Sequence, residues 1–157
     1  MGIEFNSDSV NRYLKLSVLI VHEEVKKALS FLGEQCVTRV RDRTGDMSWY
    51  DQTGNLRSSI QYAIYEDGKK TIESSFPQVL SGSDGVYEAH KLITELAGLY
   101  ATTFALVVVA GMNYADVVEA LENKDVLATT ELWAKKEIDR FLKLAKERAI
   151  RRIKSIK

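Results

Sequence analysis

Histidine, cysteine, glycine-rich and carboxylate-rich positions are where chemistry would be sought first, and in this sequence their spacing argues against it. A zinc-protease helix needs a second histidine four residues after the first, with a glutamate next to the first. His22-Glu23-Glu24 has Lys26 where that second histidine must stand, and His90 has no cysteine or acidic residue at metal-ligand spacing. Both read as ordinary surface histidines. Cys36 is the single cysteine, which excludes an internal disulfide and a multi-cysteine zinc site. It lies on an apolar helical stripe with no sequence hint of the base or positive field that activates a thiol, so a small core residue is expected. Ser81-Gly82-Ser83-Asp84-Gly85 lacks the Lys-Ser or Lys-Thr that completes a phosphate-binding loop and reads as a flexible connection. Asp116, Glu119, Glu122 and Asp125 offer oxygen ligands, but carboxylates gathered near a helix end more often form a solvated acidic face. No catalytic residue, metal site or cofactor is assigned.

The aromatic pair Trp49 and Tyr50, beside Met47, falls where a loop is expected. Large apolar groups in a loop either fold back on the core or meet a partner. The expectation here is a partner contact.

The elements that hold these residues follow from periodicity. Ser7 or Ser9 can cap a first long helix whose apolar positions Val10, Tyr13, Leu14, Val18, Val21, Val25, Leu29, Leu32 and Cys36 recur at three- and four-residue steps. Gly33 interrupts that helix at a cost of about 1 kcal/mol relative to alanine, so it either bends there or continues toward Arg43, and Thr44-Gly45-Asp46 ends it. From Ile60 the period becomes two. Ile60, Tyr62 and Ile64 share a face, Glu66-Asp67-Gly68-Lys69 makes a turn, and Ile72, Ser74 and Phe76 return as the second strand of a hairpin. Residues 86–100 show helical spacing again through Ala89, Leu92, Ile93, Leu96, Ala97 and Tyr100. Residues 104–110, apolar on both faces, predict a central strand covered by helices on one side and by something else, such as another subunit, on the other. A short helix is expected over residues 114–121. A final helix, capped by Thr129 or Thr130, carries the stripe Ala134, Ile138, Phe141, Leu142, Ala145, Ala149 and Ile153. The fold class is α+β: long N- and C-terminal helices, with an additional helix, packed on a small antiparallel β-sheet in one domain over residues 1–157.

Composition bounds the possibilities further. The chain is 45% hydrophobic and 28% charged, with 22 basic and 22 acidic residues, so it has the makings of a core and no bulk field to attract nucleic acid. The sequence pI is about 6.7. The charge is unevenly placed: from Lys135 onward ten Lys and Arg stand against three Asp and Glu, while residues 44–134 are acidic. Opposite-sign regions of this kind either meet between neighbouring copies or remain solvated. Residues 1–9 do not read as a signal peptide, and the longest apolar run, residues 104–112, is far short of the roughly 20 residues that cross a bilayer.

Two local signatures remain, Thr53-Gly54-Asn55-Leu56-Arg57-Ser58-Ser59-Ile60 and Val107-Val108-Val109-Ala110-Gly111-Met112-Asn113-Tyr114-Ala115-Asp116-Val117-Val118-Glu119. In the first, Thr53 can act as an N-cap, Gly54 permits a bend, Leu56 anchors the turn in the core, and Arg57 can bind a carboxylate, loop carbonyls or a partner. In the second, Gly111 lets the strand leave the sheet, Tyr114 and Val118 share a helical face, and Glu119 sits at its exposed end. Together the motifs resemble the siphophage minor tail component family, whose members are placed at the neck or head-tail junction. That family's glutamate commonly precedes a Gly-Thr pair and a proline-containing segment, whereas Ala120-Leu121-Glu122-Asn123 follows Glu119 here. The resemblance implies a non-enzymatic virion protein, a homo-oligomeric ring of sixfold or twelvefold order. It further implies contacts to other neck, portal-adaptor or tail-tube proteins, and DNA passing through the channel without specific recognition. No membrane partner is expected, and the implied location is the virion, reached from the bacterial host cytoplasm during assembly. The alternative is a nucleic-acid-binding or regulatory adaptor using the basic C-terminal helix.

Overall fold

The computed structural model describes residues 6–45, 48–115 and 126–156. The chain is α+β, with long terminal helices on a three-stranded antiparallel sheet. Helix α1, Ser7–Arg41, is 35 residues long, which makes it roughly 52 Å from end to end. Its cap is Asn6, not Ser7 or Ser9: the Asn6 carboxamide oxygen accepts from the backbone N–H of Asp8 at 3.1 Å and of Ser9 at 3.3 Å. Asp8 in the first turn and Arg39 and Arg41 in the last complement the helix dipole.

Gly33 does not end the helix, because the sheet needs it inside. A Cβ there would stand 2.6 Å from Tyr62 Cδ2 and 2.9 Å from Leu106 Cδ1. The propensity lost at glycine is offset by close approach of the helix to the strands.

The single turn α2, Asn55–Ser58, leads into β1, Ile60–Glu66, and β2, Lys69–Glu73. Asp67 and Gly68, with φ of 50° and 77°, supply the two left-handed residues of a tight hairpin turn. The second strand stops before Ser74, whose polar side chain has a purpose. The Tyr62 N–H donates to Ser74 Oγ at 2.9 Å, and that hydroxyl donates to Gln61 Oε1 at 2.7 Å. Helix α3, Ser83–Glu95, begins and ends earlier than expected, and Tyr100 lies beyond it. The Tyr100 carbonyl instead accepts from Gly68 N–H at 2.9 Å, closing residues 98–103 over the hairpin tip. Strand β3 is Phe104–Ala110, and helix α4 is Ala128–Lys154. Thr129 and Thr130 do not cap α4. Leu127 holds the cap position, and both threonine hydroxyls accept from the Arg43 guanidinium, at 3.3 and 3.2 Å.

The strand order is β2-β1-β3, so among the described residues β1 is central and β3, expected at the centre, is an edge. Ile60 opposes Ala110 and Ile64 opposes Leu106 across one pair, and Ile64 opposes Ile72 across the other. Ile60, Tyr62 and Ile64 face α1 in a cluster with Leu29, Val37 and Val40. Ala63 and Tyr65 face α3, with Ala89, Ile93 and Val109. Helix α4 lies antiparallel on α1: Arg39 stacks on Trp133, the Phe31 and Phe141 rings are 5.7 Å apart, and Arg152 reaches Glu23 and Glu24.

Candidate assembly surface

The first motif is a structural knot. Asp51 accepts from the Gly54 N–H at 3.1 Å through one oxygen and from the Arg57 N–H at 2.7 Å through the other. Thr53 is therefore not the cap. Gly54 occupies that position with a φ of 81°, and a Cβ on it would collide with the Val79 carbonyl; the Thr53 hydroxyl only accepts from Asn55 N–H at 3.3 Å. Leu56 is core, as expected. Arg57 donates to the carbonyls of Arg41 and Arg43 and to Ser48 Oγ, the last at 2.7 Å, with its guanidinium 5.0 Å from the centre of the Trp49 ring. Both terminal nitrogens of its guanidinium are used to hold the end of α1 on the turn.

Trp49 reverses the expectation of a partner contact. It is 4% exposed and belongs to the main core cluster, whereas its neighbour Tyr50 is 89% exposed. The indole N–H is buried with no hydrogen-bond partner among the described residues. The loop folds Trp49 inward, where the cation of Arg57 lies over its ring and it joins the core cluster that includes Leu56 and Ala115.

The second motif meets the first in the same core. Gly111 N–H donates to the Ser59 carbonyl at 3.1 Å, and a Cβ on Gly111 would sit 2.4 Å from the Ala89 nitrogen, so only glycine lets the chain leave under α3. Tyr114 is half-buried; burial first, then the Asp51 carboxylate, pushes its phenol pKa up. Ala115 packs in the cluster that holds Trp49 and Leu56. Val118 and Glu119 lie outside the described residues, as do Asp116, Glu122 and Asp125. Gly82 and Gly85, read as flexible, instead press on the α2 turn: Cβ atoms there would stand 2.2 Å from Ser58 Oγ and 2.0 Å from the Asn55 carbonyl oxygen.

The histidines are bound more specifically than spacing shows. His22 Nδ1 lies 2.6 Å from Glu66 Oε1, and Lys26 Nζ donates to Glu66 Oε2 at 2.9 Å. Lys26 and His22 hold the Glu66 carboxyl below its usual range despite burial. His90 Nδ1 pairs with Glu73 at 2.5 Å. Burial pushes the Glu24 carboxyl up, but hydrogen bonds from Arg152 and Lys27 outweigh it and leave its pKa lowered. Cys36 is buried, which raises its thiol to about 11. Among the described residues no group of three His, Cys, Asp or Glu is placed to hold a metal, and no helix is long and apolar enough to cross a membrane.

Two features were not legible as separate surfaces. Arg152 meets Glu23 and Glu24, and Glu66 at the hairpin tip meets His22, so α4 and the sheet both end near the fifth turn of α1. Residues 7–21 continue beyond them as an arm. Val10, Tyr13, Leu14, Leu16, Val18, Leu19 and Val21 are each 38 to 58% exposed there. The second feature is an apolar groove of about 760 Å³ beside the outer edge of β3, walled by Val25 and Leu29 of α1, Leu106 and Val108 of β3, and Ile138 and Leu142 of α4. Among the described residues β3 pairs only with β1.

The arm carries one advance signal: Leu16, Leu19 and Ile20 lie off the core-facing stripe, which a helix packed on one surface does not require. No protein-family model, curated protein or solved structure matches the chain.

Proposed function

We propose that this chain is a structural virion protein of a tailed bacteriophage, a neck or tail-completion component that assembles into a ring at the head-tail junction and performs no catalysis. The observation that carries the reading is the arm of α1, four turns of helix with seven large apolar side chains in water. Isolated helices of that length are marginal in water, and contiguous apolar patches on soluble monomers mark interaction sites. The resemblance of the two motifs to siphophage minor tail components supports the setting, and both motifs serve here to fix the sheet against α1 and α3. In this reading the function lies in shape and interface, with neighbouring copies, portal-adaptor and tail-tube proteins as partners and a sixfold or twelvefold order implied by the family. Quantitative mass spectrometry of gradient-purified particles tests it: the chain should be present at a ring's copy number, and its absence from particles would contradict the proposal.

A second reading, a nucleic-acid-binding adaptor, is favoured by one observation. Lys136, Lys143, Lys146, Arg148, Arg151 and Lys154 of α4 are exposed, and no ion pair involves them among the described residues. It requires DNA affinity that falls steeply as salt rises. Binding that is absent at low salt removes it.

A further inference from the structure

We infer that the arm of α1, residues 7–21, seats in the groove between β3 and α4 of a second copy of the chain. This deepens the ring reading above and rests on it. The apolar residues of the arm span an arc of about 260° at 100° per residue, wider than the stripe that packing on a single face requires. A helix with such an arc fits between two walls. The groove provides them, with Leu106 and Val108 on the sheet side and Ala134, Ile138 and Leu142 on the helix side.

The dimensions agree. The groove follows α4 from Leu127 to Leu142, roughly 24 Å, and the arm is roughly 22 Å long at 1.5 Å per residue. The areas agree as well. The seven exposed apolar side chains of the arm hold on the order of 600 Å² of accessible surface, against the roughly 800 Å² per partner that a standard specific interface buries. Residues flanking the arm and the β3 edge that is unpaired among the described residues can supply the remainder.

The occupant must come from another chain. Val25, Leu29, Leu32 and Cys36, which line the groove, belong to the same uninterrupted helix as the arm. A straight helix cannot fold its first turns back onto its own middle. An arm given to one neighbour and a groove filled by the other is a heterologous contact, the kind that closes into a ring when the rotation between copies permits.

Two measurements test the inference together. In sedimentation velocity the wild-type chain should form oligomers, while the double variant Leu14→Glu/Val18→Glu should keep its circular dichroism spectrum and associate at least roughly a hundredfold more weakly. Each buried apolar side chain lost is worth about a factor of ten. In the second, Val18→Cys chains are mixed with Leu142→Cys chains under mild oxidation; Cys36 is buried and stays silent. Mixed disulfide dimers should exceed Val18→Cys homodimers. Oligomers that survive the double variant, or a predominance of Val18→Cys homodimers, would overturn the arm-in-groove contact while leaving self-assembly standing. A wild-type chain that stays monomeric at all concentrations would overturn both.

Discussion

Trp49→Ala separates a core residue from an interface residue. An exposed interface tryptophan would leave the monomer's stability unchanged on truncation and weaken association. The structure places Trp49 at 4% exposure, under the Arg57 guanidinium and against the cluster that includes Leu56 and Ala115. Removing a buried tryptophan side chain costs about 3–5 kcal/mol through lost burial and the cavity left behind. For a chain of this size each kcal/mol moves the melting temperature by about 2–4 °C, so the midpoint should drop by roughly 6–20 °C. Trp49→Phe is the informative partner. It gives up some apolar area but also removes the buried indole N–H that has no partner among the described residues, a group whose burial costs about 1–3 kcal/mol. The two effects oppose, and Trp49→Phe should stay within about 1 kcal/mol of the wild type. Tyr50→Ala, at an 89% exposed site, should be neutral within about 0.5 kcal/mol. Urea unfolding followed by far-ultraviolet circular dichroism reads all three. A Trp49→Ala midpoint equal to the wild type's would refute the inward placement of this loop.

Gly33→Ala should destabilise by about 1–3 kcal/mol, because overpacking outweighs the better helix propensity of alanine. The added Cβ would meet Tyr62 Cγ at 2.7 Å, near the pivot of the ring and not at a yielding tip; a gain in urea midpoint would show that the helix and sheet are not so close. Cys36, with its thiol raised to about 11 by burial, should react with a thiol reagent only as fast as the chain unfolds, and rapid labelling of the native protein would contradict its burial. Glu66 is held below the usual carboxylate value near 4.5 by Lys26 and His22. Its pairing therefore adds stability above that pH and loses it as pH falls through the lowered value. Glu66→Gln should accordingly flatten the decline of the urea midpoint below pH 4.5, and an unchanged slope would count against the pairing.

Much of this fold is legible in the sequence because faces have periods. The three- and four-residue spacing of Leu29, Leu32 and Cys36 and the alternation of Ile60, Tyr62 and Ile64 report which side of an element is apolar, and those sides are buried. Edges have no such period. The two apolar faces of residues 104–110 reflect cover by α1 and α3, and nothing in that composition reveals that one edge of the strand is unpaired among the described residues. Trp49 escaped for a similar reason: the Arg57 cation over its ring is eight positions away, other members of its cluster such as Ala115 are as far as 66, and loop residues carry no pattern of their own. The stripe of α1 looks uniform from Val10 to Cys36, yet only its later half is covered, because α4 and the hairpin end near His22. Where cover stops is a fact of topology and helix length.

A cryo-electron microscopy reconstruction of particles that contain this chain bears most directly on the assembly account. It should resolve a closed ring at the head-tail junction, with Val10, Leu14 and Val18 of each copy enclosed between β3 and α4 of the next. A chain located away from that junction, or a ring in which those three side chains face solvent, would contradict it.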